Sequence, residues 1–332
     1  MHTALEIVGL VVVVGFVAGG AERIGASPPL VLVLAGIVIS YIPGIPSFEL
    51  NPDLVLVGLL PPLLYSAAIQ TSLVEFRRQR TTIALLSVGL VAFSTGTVGF
   101  VAWWVIPAIG LPAALAVGAV VAPPDAVAAS AVARRVGMPR RVVSLLESES
   151  LVNDATALVA LNTAIAAITP STVQVTHVAG DLALAAVGGV AVGLAAAFLL
   201  AMVRKRINDP VLDTTLSFTA PYVAFLPAEA IHSSGVLAVV VTGLFLGHRA
   251  PALQSAASRV AEKTNWATVA FLLENVVFLL IGLQLRGLLR GVRDSGLSAG
   301  EITGCCLAVL GAVIGARVVW VLGSNAIYRT VV

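Results

Sequence analysis

The residues able to do chemistry fall in one stretch, from Ala122 to Val159. It contains Ala122-Pro123-Pro124-Asp125-Ala126-Val127-Ala128-Ala129, a basic turn (Arg134, Arg135, Arg140, Arg141), and Glu147-Ser148-Glu149-Ser150-Leu151-Val152-Asn153-Asp154-Ala155-Thr156. Four carboxylates, an amide and two prolines thus sit within apolar segments long enough to lie at membrane depth, where ionisable groups are costly and mark ion or proton pathways. In a helix, Ser150 lies one turn before Asp154 and Glu147 two turns before, so these three share a face, whereas Glu149 and Asn153 share a neighbouring one. Ser150 and Asp154 offer hard oxygen donors suited to a small hard cation. Glu149 and Asn153 offer an acceptor and an amide suited to holding another helix.

The elements that must position these groups are membrane spans. The chain is 58% hydrophobic and 11% charged over 332 residues, with a mean hydropathy of +1.02. Soluble domains carry about a quarter of charged residues, so the composition is that of an all-α polytopic membrane protein. The formal charge of +2 implies no nucleic-acid partner, because the basic residues form short clusters between apolar segments and make no continuous surface. Cys305 and Cys306 adjoin each other in an apolar run and read as small packing residues, not as a disulfide or metal site. Glu6, and no Lys or Arg, precedes the first apolar run, so that run reads as a retained span and not as a cleaved signal.

A span needs roughly 20 apolar residues. Eleven segments qualify, at 4–20, 28–44, 53–70, 81–106, 111–133, 142–168, 176–203, 211–228, 232–248, 266–288 and 299–323. Lys and Arg cluster after spans 1, 3, 5, 7 and 9 and are absent after spans 2, 4, 6 and 8. The positive-inside rule then puts the odd loops in the cytoplasm and the N-terminus outside. One loop disobeys: Arg286, Arg290 and Arg293 follow span 10 on the outer side, so either they cap an amphipathic segment there, which is the first expectation, or the tenth span is misassigned. No separate soluble domain or linker is evident, and residues 1–332 read as one transmembrane domain. Gly188, Gly189 and Gly193 along span 7 fit close helix packing in lipid.

Span 5 cannot run as one helix. Pro123 and Pro124 remove two backbone donors and clash with the preceding turn, and the carbonyls they orphan are tolerated at membrane depth only when buried in protein or lining a cavity. Asp125 follows this break at the N-terminus of a second half-helix, where its charge meets the positive end of the dipole. It serves either as a cap or as a direct cation ligand or proton carrier. Arg317 lies in an apolar setting in span 11 and cannot shed its proton, so it must be paired. Glu149 is the first candidate partner, Glu147 and Glu274 are others, and snorkelling to the interface is the bland alternative.

On these residues the chain resembles the sodium/proton exchanger branch of the monovalent cation:proton antiporters. The resemblance rests on Pro-Pro-Asp-Ala-Val-Ala-Ala, the basic turn, Glu-Ser-Leu-Val-Asn-Asp-Ala-Thr-Ala-Leu-Val, Ser234-Gly235-Val236-Leu237-Ala238-Val239-Val240 and Phe278-Leu279-Leu280-Ile281-Gly282-Leu283-Gln284-Leu285, in order along essentially the whole chain. It implies that Asn153 and Asp154 are the Asn-Asp motif whose Asp is the shared cation and proton site. It further implies that Ser150 is a side-chain ligand of transported Na⁺, that Asp125 belongs to an unwound helix crossing nearby, and that Glu149 and Arg317 form a structural ion pair. Glu274 and Glu229 have acidic counterparts in some relatives without an assigned role. Ser148 departs from the pattern, standing where relatives commonly have Gly.

The resemblance also implies an inverted-repeat fold of normally thirteen spans, against which this sequence reads as truncated after the eleventh, with a second broken helix and the last span absent. Function is then expected to be exchange of a monovalent cation, Na⁺ before K⁺ or Li⁺, for H⁺ by alternating access, in a homodimer at the plasma membrane, with no cofactor beyond the transported ions. Asp154 would bind a cation or a proton but not both, since a bound cation lowers its proton affinity, and Asn153 in place of a second Asp favours one-for-one, electroneutral exchange. A transport-inactive truncated fragment or assembly subunit is the alternative. An intramembrane aspartyl protease, which would pair Asp125 with Asp154, lacks its Gly-x-Gly-Asp signature here.

Overall fold

The computed structural model describes residues 2–43, 54–106, 109–124, 129, 132–133, 136–168, 175–294 and 298–331. Its elements are α1 (His2–Arg23), α2 (Pro28–Ser40), a π-helical turn (Leu54–Leu59) running into α3 (Leu60–Gln70), α4 (Leu73–Arg78), α5 (Arg80–Ala84), a second π-helical turn (Leu85–Gly89), α6 (Leu90–Val105), α7 (Leu111–Val121), α8 (Arg140–Ala166), α9 (Val175–Arg204), α10 (Pro210–Ala230), α11 (Gly235–Leu253), α12 (Ala256–Asp294) and α13 (Ala299–Val331). There is no strand among the described residues. Helix is described within each of the eleven apolar segments, in this order, although α2 ends at Ser40 and α7 at Val121, short of the expected bounds. Among the described residues, five stretches are long and apolar enough to cross a membrane: Thr81–Val105, Leu184–Arg204, Gly235–Leu253, Ala256–Val292 and Ala299–Ser324.

Sequence punctuation explains the helix boundaries. Asp209 caps α10 by accepting from the N–H groups of Val211 (2.7 Å) and Leu212 (3.0 Å), with Pro210 at the first helical position. Ser298 and Glu301 form a reciprocal capping box at the start of α13. Pro61 and Pro62 have no N–H, which strips the carbonyls of Val57 and Gly58 of their α-helical donors. The chain answers with the first π-helical turn, and the Tyr222 hydroxyl donates to Gly58 O at 3.1 Å.

The helices pack as two bundles. One joins α1–α3 to α9–α12 around Leu64, Tyr65, Ala224, Val239 and Trp266, with a satellite core of Val14, Leu32 and Leu279. The other gathers α6, α7, α8 and α13. The principal bridge is α8, whose Ala155 and Leu158 rest on the core of the first bundle. Small residues permit the closest approaches, as close packing in lipid requires. A side chain on Gly36 or Gly282 would collide with the backbone of the facing helix, so α2 and α12 touch main chain to main chain, and Gly193 likewise abuts Ala238 across α9 and α11. Gly36 faces Gly282 while Ser40 faces Arg286, so α2 and α12 run parallel.

That contact gives one of the three arginines after span 10, Arg286, a packing role. Residues 286–294 continue α12 and form no separate amphipathic segment. Arg286 donates to Ser40 O at 2.7 Å, satisfying an orphan carbonyl at the C-terminus of α2, and stacks over Tyr41 at 5.2 Å. Packing demand thus places a cation where loop statistics put none.

At the opposite end of the first bundle Arg204, Asp213 and Glu262 meet in a buried network. Arg204 Nε and Nη2 donate to the two oxygens of Asp213 at 2.7 and 3.1 Å, and Nη2 reaches Glu262 Oε2 at 2.9 Å. Gln254 Nε2 donates to Asp213 Oδ2 (2.7 Å) and Glu262 Oε2 (2.6 Å). This ties together the ends of α9, α10, α11 and α12. Nothing in the sequence spacing announced it, because the partners come from four helices and Arg204 reads as one more loop cation. Within the same bundle the buried Thr242 hydroxyl sits 2.8 Å from Gly193 O, next to the α9–α11 contact. Thr242→Val, nearly isosteric, is expected to cost about 0.6–1.7 kcal/mol, the range of single interhelical hydrogen bonds in membrane proteins, read as a small fall in the melting temperature of the detergent-solubilised protein.

Candidate cation site

The site is built on the middle of α8, held between α13 and the segment Arg80–Val105. Helix α7 stops at Val121, and Ala122 to Pro124 are non-helical. Helix reappears at Ala129, Val132 and Ala133. Span 5 is therefore broken at the two prolines, for the backbone reason given above. Pro123, Pro124 and Ala129 line a cavity with Val313, Arg317 and Val318 of α13, so the irregular backbone is covered by protein on that side. Asp125, the carboxylate after the break, lies outside the described residues, as do Arg134 and Arg135.

The two faces of α8 differ in environment. Glu149 and Asn153 are buried, and Asn153 has no solvent exposure at all. Ser150 and Asp154 are half-buried. Glu149 Oε1 accepts from Arg317 Nη2 at 3.1 Å, bringing together residues 168 apart in sequence. The Arg317 side chain is 36% exposed and that of Glu149 only 4%, so the arginine stretches from the apolar groove to reach a carboxylate that is truly interior.

Asn153 departs from its expected part in this strut. Its Oδ1 and Nδ2 have no hydrogen-bond partner among the described residues. Burying an unmade amide costs about 1–3 kcal/mol, and such unsatisfied groups in native proteins concentrate at functional sites. The Glu149/Asn153 face therefore divides: Glu149 pairs with Arg317 of α13, while the Asn153 amide has no such partner among the described residues.

Sequence reasoning missed the other side of the clamp. The Ser87 hydroxyl, itself fully buried, donates to the backbone carbonyl of Glu149 at 3.0 Å. On α13, Trp320 lies against Gly89 and stacks with Phe93 at 5.3 Å. An isolated Ser in an apolar run offers no periodic signal. The one clue was that Ser87 and Ser94 fall on the same helical stripe as the apolar core positions Ile83, Leu90, Val91 and Val98.

A half-buried carboxylate and hydroxyl on one helix face, within a many-helix apolar bundle that has a span broken at two prolines, are features of membrane transport proteins. The transmembrane sodium/hydrogen exchanger family matches residues 9–329. An uncharacterized Na(+)/H(+) exchanger of Mycobacterium tuberculosis, Rv2287, is 33% identical over 325 residues, covering 96% of this chain and 58% of the relative. The sodium, potassium, lithium and rubidium/H(+) antiporter of Bacillus subtilis is 32% identical over 302 residues, covering 89% of this chain and 45% of its own length. Among solved structures, the sodium proton antiporter MjNhaP1 of Methanocaldococcus jannaschii superposes with a TM-score of 0.72 at 21% identity, over 96% of this chain and 88% of that one. The chain belongs to the sodium/hydrogen exchanger family. It spans about half the length of the curated relatives it matches.

Proposed function

We propose that this chain carries the ion pathway of an electroneutral monovalent cation/proton exchanger, with Asp154 as the shared site and Ser150 as its neighbouring ligand. The observation that carries this reading is the half-buried Ser150/Asp154 face, on which Ala157 clusters with Ala122 at the Pro123–Pro124 break, set against the buried face from which Glu149 braces α13. A carboxylate reached by solution can exchange its proton for a cation, and the two loads exclude each other because a bound cation lowers proton affinity. Asn153 beside it adds no second titratable charge, which supports one proton per monovalent cation. Asp125 is assigned to the half-helix after the break, capping it or completing the ion's coordination. Na⁺ is the proposed substrate, with K⁺ and Li⁺ as the competitors to test, since oxygen ligands alone do not fix size selectivity.

Alternating access is supported by the division into two bundles bridged chiefly by α8, which allows one to rock against the other around a fixed site. The topology we infer places the N-terminus outside, in the plasma membrane, and the assembly is proposed to be a homodimer, which chemical cross-linking in native membranes tests. The functional experiment uses the purified chain in liposomes with an imposed pH gradient. Addition of Na⁺ should dissipate the gradient, and the rate should be unchanged when K⁺ and valinomycin clamp the membrane potential. Gradient dissipation no faster than in protein-free liposomes for Na⁺, K⁺ and Li⁺ alike defeats the reading.

A further inference from the structure

The exchange reading assigns the residues that face the ion but leaves unexplained what sets the height and rotation of the α8 turn that carries them. Ser87 is 0% exposed, and its hydroxyl is 3.0 Å from the carbonyl of Glu149. In an α-helix that carbonyl is the acceptor of the Asn153 N–H, four residues on. Ser87 therefore adds a second donor to the carbonyl, in the Glu149–Ser150 peptide, that the helical hydrogen bond joins to Asn153, the residue before Asp154.

The segment that presents Ser87 is irregular. Leu85–Gly89 is π-helical between α5 and α6, and such a turn inserts one residue and re-aims the side chains that follow it. On its other side Gly89 meets the indole of Trp320, and a Cβ there would overlap it. Trp320 lies three residues after Arg317, whose guanidinium holds the Glu149 carboxylate. The π-helical turn is thus wedged between α8 and α13 at the level of the Glu149–Arg317 pair, touching the backbone of one partner helix and the aromatic side chain of the other.

We propose that the π-helical turn Leu85–Gly89 positions the cation site, with Ser87 as a positioning residue that fixes the Glu149–Asp154 turn through the Glu149 carbonyl. The proposal rests on the assignment of Asp154 and Ser150 as the site. Ser87 touches no ion; it determines where the ligands stand. Loss of its hydrogen bond should loosen the ligand geometry, weakening cation capture more than turnover of the loaded carrier.

The test is the apparent KM and Vmax for Na⁺ in liposomes reconstituted with the full chain, for Ser87→Ala, Ser87→Thr and Asp154→Asn. One hydrogen bond corresponds to about a three- to tenfold change in an equilibrium constant. Ser87→Ala is expected to raise KM by about that factor with Vmax within about twofold, and Ser87→Thr, which keeps the hydroxyl, to restore KM. A merely structural role would lower Vmax, as folded protein is lost, and leave KM alone. An unchanged KM in Ser87→Ala, or an equal rise in Ser87→Thr, overturns the positioning role. If Ser87→Ala does not yield folded protein, Ser87→Cys, similar in volume and weak as a donor, carries the same comparison. Normal exchange in Asp154→Asn would instead overturn the site assignment itself, so the two failures are told apart.

Discussion

Asp154→Asn is expected to reduce Na⁺-driven dissipation of a pH gradient to the level of protein-free liposomes. The substitution preserves volume and planarity while removing the only property exchange needs, a group that can hold either a proton or a cation. An amide can neither take up the proton nor balance the cation's charge, so both half-reactions stop together. The diagnostic pattern is a folded, monodisperse variant with no coupled proton flux. Retention of coupled flux would move the site elsewhere, with the acidic residue after the Pro123–Pro124 break as the first place to look.

What the sequence disclosed and what it withheld follow from the range of the interactions involved. Helical phase along one segment is local, so the separation of Ser150/Asp154 from Glu149/Asn153 was legible, as was the break at Pro123–Pro124, which follows from missing donors. The Glu149–Arg317 contact was legible for a different reason: a cation that cannot be neutralised, in an apolar run, demands an anion, and few were at the right depth. By contrast, the Arg204–Asp213–Glu262–Gln254 network joins four helices whose relative heights no periodicity encodes, and Arg204 was indistinguishable from its neighbours Lys205 and Arg206. Arg286 misled for a related reason. It obeys a packing demand, the orphan carbonyl of Ser40, that topology statistics do not see. Ser87 was invisible because its partner is a backbone carbonyl, which every residue possesses.

The Glu149–Arg317 pair should prove asymmetric when broken. Arg317→Met leaves the Glu149 carboxylate, whose side chain is 4% exposed, without its counter-charge, and removing one partner of a buried pair costs about 3–5 kcal/mol. Glu149→Gln leaves a guanidinium that is 36% exposed and can still donate to the glutamine carbonyl oxygen, so its cost should be smaller, about 1–2 kcal/mol. The double variant Glu149→Gln/Arg317→Met should be more stable than Arg317→Met alone, because the stranded charge is gone and the methionine fills the apolar groove lined by Val318 and Val321. Melting temperatures at a fixed scan rate give the ranking, since unfolding of a membrane protein is rarely reversible. The order of stabilities expected is wild type, Glu149→Gln, double variant, Arg317→Met, with the last two separated by the rescue. Equal losses in both single variants, with no recovery in the double, would mean that the contact is incidental and that α13 is held by Trp320 against Gly89 instead. The same series bears on exchange: if Glu149 acts only as a brace, the double variant should regain transport together with stability, and a stable double variant without transport would give Glu149 a part in the ion pathway as well.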